Sequence, residues 1–186
     1  MFRKPTLLDS STLINVMASK HARSILEVFG GQARICGAVR VEALFLRSEA
    51  PGAAPERILL EPLLEEGFLK HVDLAGPEEE ALYVEFAADL DDGEAMTLAI
   101  AHQRGMAVAT DDRKARRLAE QRVVPPLKLL RTSEIIYRWA HEKNVTREDL
   151  RTVLSRIEST ARFTPPNDDP LRAWWLELLR TETGRE

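Results

Sequence analysis

One cysteine, Cys36, occurs in 186 residues. An intrachain disulfide is thereby excluded, and the chain suits a reducing compartment. Long uncharged runs are missing. The longest, Ser10 to Ser19, has ten residues, against roughly 20 for a helix that crosses a bilayer. The segment Met1 to Asp9 lacks the apolar stretch of a secretory signal. Neither Gly-x-x-x-x-Gly-Lys-Ser/Thr nor Gly-x-Gly-x-x-Gly is present, so a nucleotide-binding loop has no support. A Gly-x-Ser-x-Gly nucleophile elbow is missing too. His21, His71, His102 and His141 share no ligand spacing, which leaves a zinc cluster without donors. These absences describe a soluble, cytoplasmic protein with no membrane partner.

What is present is an ordinary globular composition, 44% hydrophobic and 30% charged, with nine Gly and ten Pro spread along the chain. The length suits one domain with a large core. A net charge of −4 excludes a protein that coats nucleic acid by bulk charge. It leaves room for a local patch. From Arg113 to Arg131 there are seven basic residues (Arg113, Lys114, Arg116, Arg117, Arg122, Lys128 and Arg131) and one acid, Glu120.

Short apolar runs alternate with helical patterns. Thr6-Leu7-Leu8 reads as a strand, and Asp9-Ser10-Ser11-Thr12 offers capping chemistry for a helix carrying Leu13, Val16 and Met17. Gly30-Gly31 breaks the next helix, Ala33 to Cys36 reads as a strand, and Gly37 opens a helix to about Leu46. Ser48 to Pro55 reads as a loop, Pro55 to Glu66 as helix and Phe68 to Leu74 as a strand. Helices are expected from Pro77 to Leu90 and Glu94 to Arg104, with a sharp turn at Asp91-Asp92-Gly93. The strand Met106 to Thr110, a helix to about Gln121 and a last strand at Arg122-Val123-Val124 follow. The alternation predicts an α/β/α three-layer sandwich around a short parallel sheet. Residues 132–186 read as a helical extension packed on a core of residues 1–131. Trp139, Trp174 and Trp175 of that extension suit anchoring to the core, and base stacking is the alternative.

The acids carry the functional signal. Asp9 follows the first strand, and Asp111-Asp112 follow the strand ending at Thr110. In an open parallel sheet, ligands bind beyond the carboxyl ends of the strands. On a helix from Gly37 to Leu46, Glu42 would share an apolar stripe with Val39, Ala43 and Leu46, an expensive place for a carboxylate without a cation. Glu94 sits at a helix start with Leu98 and Ala101 on its face. Acids crowded together repel one another and drift toward protonation, a conflict that hard divalent cations such as Mg²⁺ or Mn²⁺ resolve. Taken singly, Asp9, Asp92 and one of Asp111 or Asp112 are also simple helix caps.

Four short segments, in order, resemble the PIN domain family of metal-dependent ribonucleases. They are Leu8-Asp9-Ser10-Ser11-Thr12-Leu13-Ile14, Val41-Glu42-Ala43-Leu44, Gly93-Glu94-Ala95 and Ala109-Thr110-Asp111-Asp112-Arg113. The resemblance spans about residues 6–125 and is nearest to a prokaryotic, VapC-like subgroup with a helical continuation. It implies catalytic and metal-holding roles for Asp9, Glu42, Glu94 and Asp112, one or two Mg²⁺ or Mn²⁺ ions, and Asp111 as a further ligand candidate. Ser11 and Thr110 would hydrogen-bond the ligands. Glu94 stands where many members have Asp, and Asp92 is a substitute candidate. The implied activity is endonucleolytic hydrolysis of single-stranded RNA by an activated water, with Arg113, Lys114, Arg116 and Arg117 on phosphates. It further implies the toxin of a toxin–antitoxin pair, with an antitoxin protein and a homodimer as candidate partners. A catalytically silent scaffold that binds RNA or protein is the alternative. An aspartyl-phosphate phosphatase ranks last, because Ser11 stands where that chemistry usually needs a second Asp.

Overall fold

The computed structural model describes residue 2 and residues 4–42, 44–48 and 52–180. Strand β1 (Thr6–Leu8) runs through α1 (Ser10–Ala18), α2 (Ala22–Leu26) and a 3-10 turn to β2 (Ala33–Cys36). Then come α3 (Gly37–Val41), β3 (Phe45–Leu46), β4 (Glu56–Arg57), α4 (Glu61–Glu65) and β5 (Lys70–Val72). Helices α5 (Pro77–Ala87) and α6 (Asp92–Arg104) lead to β6 (Ala107–Ala109), α7 (Arg113–Arg122) and β7 (Leu129–Leu130). The chain ends with α8 (Thr132–Glu142), α9 (Arg147–Arg156), a π turn over Ile157–Ala161, and α10 (Arg172–Leu179). Residues 43 and 49–51, which include parts of the expected helix and loop, lie outside the described residues.

Five strands form one sheet in the order β5-β2-β1-β6-β7, and every pairing is parallel. β1 and β6 are buried along their whole length, as expected of strands covered on both faces. The chain first builds outward from β1 to β2 and β5, then returns to β1's other side for β6 and β7. Right-handed crossovers put helices of opposite winding on opposite faces. Helix α6 packs on β1, β2 and β6 beside α3, α5 and α7, while α1, α2 and α8 pack together. The layers are those of an α/β/α sandwich. The winding reverses between β1 and β6, which is where such a sheet opens a crevice.

Three expectations are corrected. Helix α3 stops at Val41: Glu42 is already extended, with φ −64° and ψ 136°, because Phe45–Leu46 pair antiparallel with Glu56–Arg57. The apolar stripe through Glu42 therefore does not exist, and Glu42 is exposed. For the same reason the helix expected from Pro55 shrinks to Glu61–Glu65. The last strand is not Arg122–Val124. The Val123 N–H still closes α7 on Ala119, and the edge strand forms only after Pro125-Pro126, at Leu129–Leu130.

The tail tryptophans act as anchors. Trp139 Nε1 donates to Ser24 Oγ at 2.9 Å, and Trp175 is fully buried against Phe163 and Trp174. Cys36 is a buried core residue at the end of β2.

Candidate functional site

Asp9 turns the chain from β1 into α1. Its N–H donates to Ala109 O at 3.1 Å, tying it to the end of β6. Its Oδ1 accepts from the Thr12 N–H at 2.7 Å, which caps α1. The Ser11 hydroxyl lies 2.9 Å from both carboxylate oxygens and donates to them. Asp9 is only 3% exposed. Burial pushes its pKa up, against hydrogen bonds from Thr110, Thr12 and Ser11.

Glu94 lies in the first turn of α6. Asp91, not Asp92, caps this helix: its Oδ1 accepts from the Glu94 N–H at 2.8 Å. Asp91-Asp92-Gly93 is thus the cap and first turn of the helix. Asp92 faces away and accepts from the Tyr83 hydroxyl at 2.8 Å. The Glu94 carboxylate is half-buried and has no hydrogen-bond donor among the described residues. Its pKa is pushed up to about 7, by burial first and then by the charges of Asp112, Asp91 and Asp9.

The adjacent pair after β6 divides its work. Asp112 caps α7, its Oδ1 accepting from the N–H groups of Lys114 at 2.7 Å and Ala115 at 2.8 Å. Its own N–H donates to Thr110 Oγ1 at 3.1 Å. Asp111 turns inward and accepts from Asn15 Nδ2 at 3.2 Å, from the Thr132 N–H at 3.1 Å and from the Thr132 hydroxyl. Burial raises its pKa to about 6. The Thr132 hydrogen bonds oppose the shift, and the Asp9 charge adds to it.

Glu42 reaches the same region from the rim, its Oε2 accepting from the Ser10 hydroxyl. Gly93 lies close by. A methyl group there would stand 3.3 Å from Val39 Cγ2, 3.5 Å from Asp91 Oδ1 and 3.6 Å from Glu42 Oε2. The structure thus groups Asp9, Glu94 and Asp112 at the winding reversal, with Glu42 at its edge and Asp111 behind it. Sequence reasoning missed Asp91 and Asn15. A cap three residues before Glu94 was one signal; an Asn on the buried face of α1 was the other.

Among the described residues, no three acidic, histidine or cysteine side chains already close on a common point. Their chemistry nevertheless fits a divalent cation. The donors are all hard oxygens, and a half-buried carboxylate facing three other acids ionises at neutral pH only at a cost that positive charge offsets.

The model of one protein family, described as PIN domain, matches residues 6–167. This chain belongs to the PIN domain family. Neither the curated proteins nor the solved structures give a match. PIN domains have a nuclease-type fold and typically use divalent metals. In this PIN domain the family match runs beyond residue 125, through β7, α8, α9 and the π turn. No helix among the described residues is long and apolar enough to cross a membrane.

The basic stretch beside the acids is partly occupied with its own fold. Arg116 is turned inward, and its Nη1 donates to Thr110 O at 3.0 Å and Leu130 O at 3.1 Å. Burial lowers its pKa, and Arg131 adds to this. Lys114 donates to Asp89 O, and Arg122 pairs with the Asp89 carboxylate at 2.8 Å. Arg113 and Arg117 face solvent.

Proposed function

We propose that this PIN domain is a Mg²⁺- or Mn²⁺-dependent endoribonuclease that hydrolyses single-stranded RNA. The observation that carries the reading is the convergence of Asp9, Glu94 and Asp112, from three separate helix starts, on the crevice where the sheet reverses its winding. Asp9, Glu94 and Asp112 would hold the ion, with Glu42 and Asp91 completing its surroundings. Such an ion, when bound, supplies Lewis acidity toward water and the phosphoryl oxygens. Ser11 and Thr110 hydrogen-bond the Asp9 carboxylate and oppose the rise that burial imposes on its pKa. Glu94, pushed up to about 7, would release a proton on holding such an ion. Arg113 and Arg117 would hold the RNA backbone beside Asp112. The VapC-like segments support a toxin paired with a cytoplasmic antitoxin protein. An antitoxin arginine would fit the same acids.

Asp9→Asn is the deciding variant, because Asn caps a helix as well as Asp does. It removes the charge and keeps α1. The wild-type chain is expected to cleave a pool of single-stranded RNAs with Mn²⁺ or Mg²⁺, and Asp9→Asn to lose at least about two orders of magnitude in rate. Cleavage that persists in excess EDTA rejects this mechanism.

A further inference from the structure

A cleft of about 420 Å³ lies beside the acids, between α7 and the segment that precedes α10. Its walls are Arg113, Arg116, Arg117 and Arg131 on one side, and Asn167 and Asp168 on the other, with Glu120 at the edge. Arg116 is committed to the carbonyls of Thr110 and Leu130, which leaves Arg113, Arg117 and Arg131 to face a ligand. Asp168 Oδ2 accepts from Arg131 Nη2 at 2.7 Å. The Asp168 side chain is 69% exposed and that of Arg131 only 13%. The carboxylate therefore sits over the guanidinium as a lid. Arg131, and to a lesser degree Arg113, hold its pKa low. The segment is pinned on both flanks. Asp169 accepts from Ser133 Oγ at 2.7 Å and from the Leu171 N–H at 2.8 Å, and Arg172 donates to Pro165 O.

We propose that this cleft binds one backbone phosphate of the RNA between Arg113, Arg117 and Arg131, and that Asp168 occupies the phosphate's place in the free protein. The proposal rests on the ribonuclease reading and adds the tail segment to the RNA-binding surface. A planar guanidinium pairs with a carboxylate or a phosphate in the same fork geometry. An RNA strand leaving the acids past the start of α7 meets this cleft next. Asp168 then acts as an internal competitor that weakens RNA lacking a good fit at the acids.

The test is equilibrium binding of a short fluorescein-labelled single-stranded RNA to the full chain in EDTA, across a potassium chloride series. Asp168→Asn is expected to tighten binding several-fold while keeping the log–log salt slope of the wild type, because the same single phosphate is bound in both; one phosphate on a single strand contributes about 0.7 to that slope. Arg131→Gln and the exposed Arg117→Gln should each weaken binding and flatten the slope by about 0.7. Glu66→Gln, which removes an acid at the end of α4 that pairs with Arg23 of α2, should leave the slope unchanged. Asp168→Asn that binds like wild type, or as weakly as Arg117→Gln, overturns the proposal. So does RNA that fails to bind while an acidic peptide binds with these same variant effects. Mn²⁺-dependent cleavage by the wild-type chain is measured alongside. Cleavage with unaltered slopes removes the cleft alone, whereas shifted slopes without cleavage remove the nuclease reading and leave the cleft.

Discussion

At the scale of single residues, Glu94 and Asp111 set the pH behaviour. Folding raises Glu94 from 4.5 to about 7 and Asp111 from 3.8 to about 6. Between the unfolded and folded values the native chain holds protons that the unfolded chain has shed, so native stability falls as pH rises through that window. In EDTA, the melting temperature is expected to drop from about pH 5 to about pH 7, and Glu94→Gln should flatten the drop. A thermal-shift series in matched buffers checks this. Mn²⁺ takes the ionised carboxylates, so its stabilising shift should grow over the same pH range. The acids themselves were legible in the sequence, because their placement after strands and at helix starts is a matter of spacing. The role of each was less so. Asp91 rather than Asp92 caps α6, and Asp112 rather than Asp111 faces Glu94. Such one-residue choices depend on the angle at which each helix leaves the sheet.

At the scale of elements, the join of α1, β6 and α8 rests on polar contacts. Asn15 is buried and donates to both Asp111 and Thr132 Oγ1, the latter at 3.1 Å. Asn15→Ala leaves a buried carboxylate short of one donor, and the expected cost is about 1–3 kcal/mol. Urea unfolding at neutral pH measures it, and a loss below about 0.5 kcal/mol contradicts the assignment. Helices with clear caps and a glycine stop were readable in advance. α6, for example, ends at Gly105 with φ +61°. The two-residue ribbon of β3 and β4 was not. Phe45 and Arg57 belong to strands because they pair with each other across eleven intervening positions, and no local pattern in either segment records that. Losing α3 beyond Val41 removed the stripe argument for Glu42. The Ser10 hydroxyl holds Glu42 at the rim by another route.

At the scale of the whole molecule, the tail belongs to the fold it covers. Ile135, Ile136, Trp139, Leu154 and Trp175 are buried, and Thr132 holds Asp111. A chain truncated after residue 131 is therefore expected to show no cooperative unfolding transition in urea, as followed by circular dichroism. The sheet order was only partly legible. Alternation announced a parallel sheet, but the reversal at β1 and β6 emerges only from pairing. Asp9, Asp91 and Asp112 each begin a helix as well as facing the crevice. On the proposed ribonuclease reading, a descendant that abandoned catalysis would still be selected to keep those three for its architecture. Glu94 and Glu42 start no helix, so on that same reading they are the positions whose drift would announce a retired enzyme.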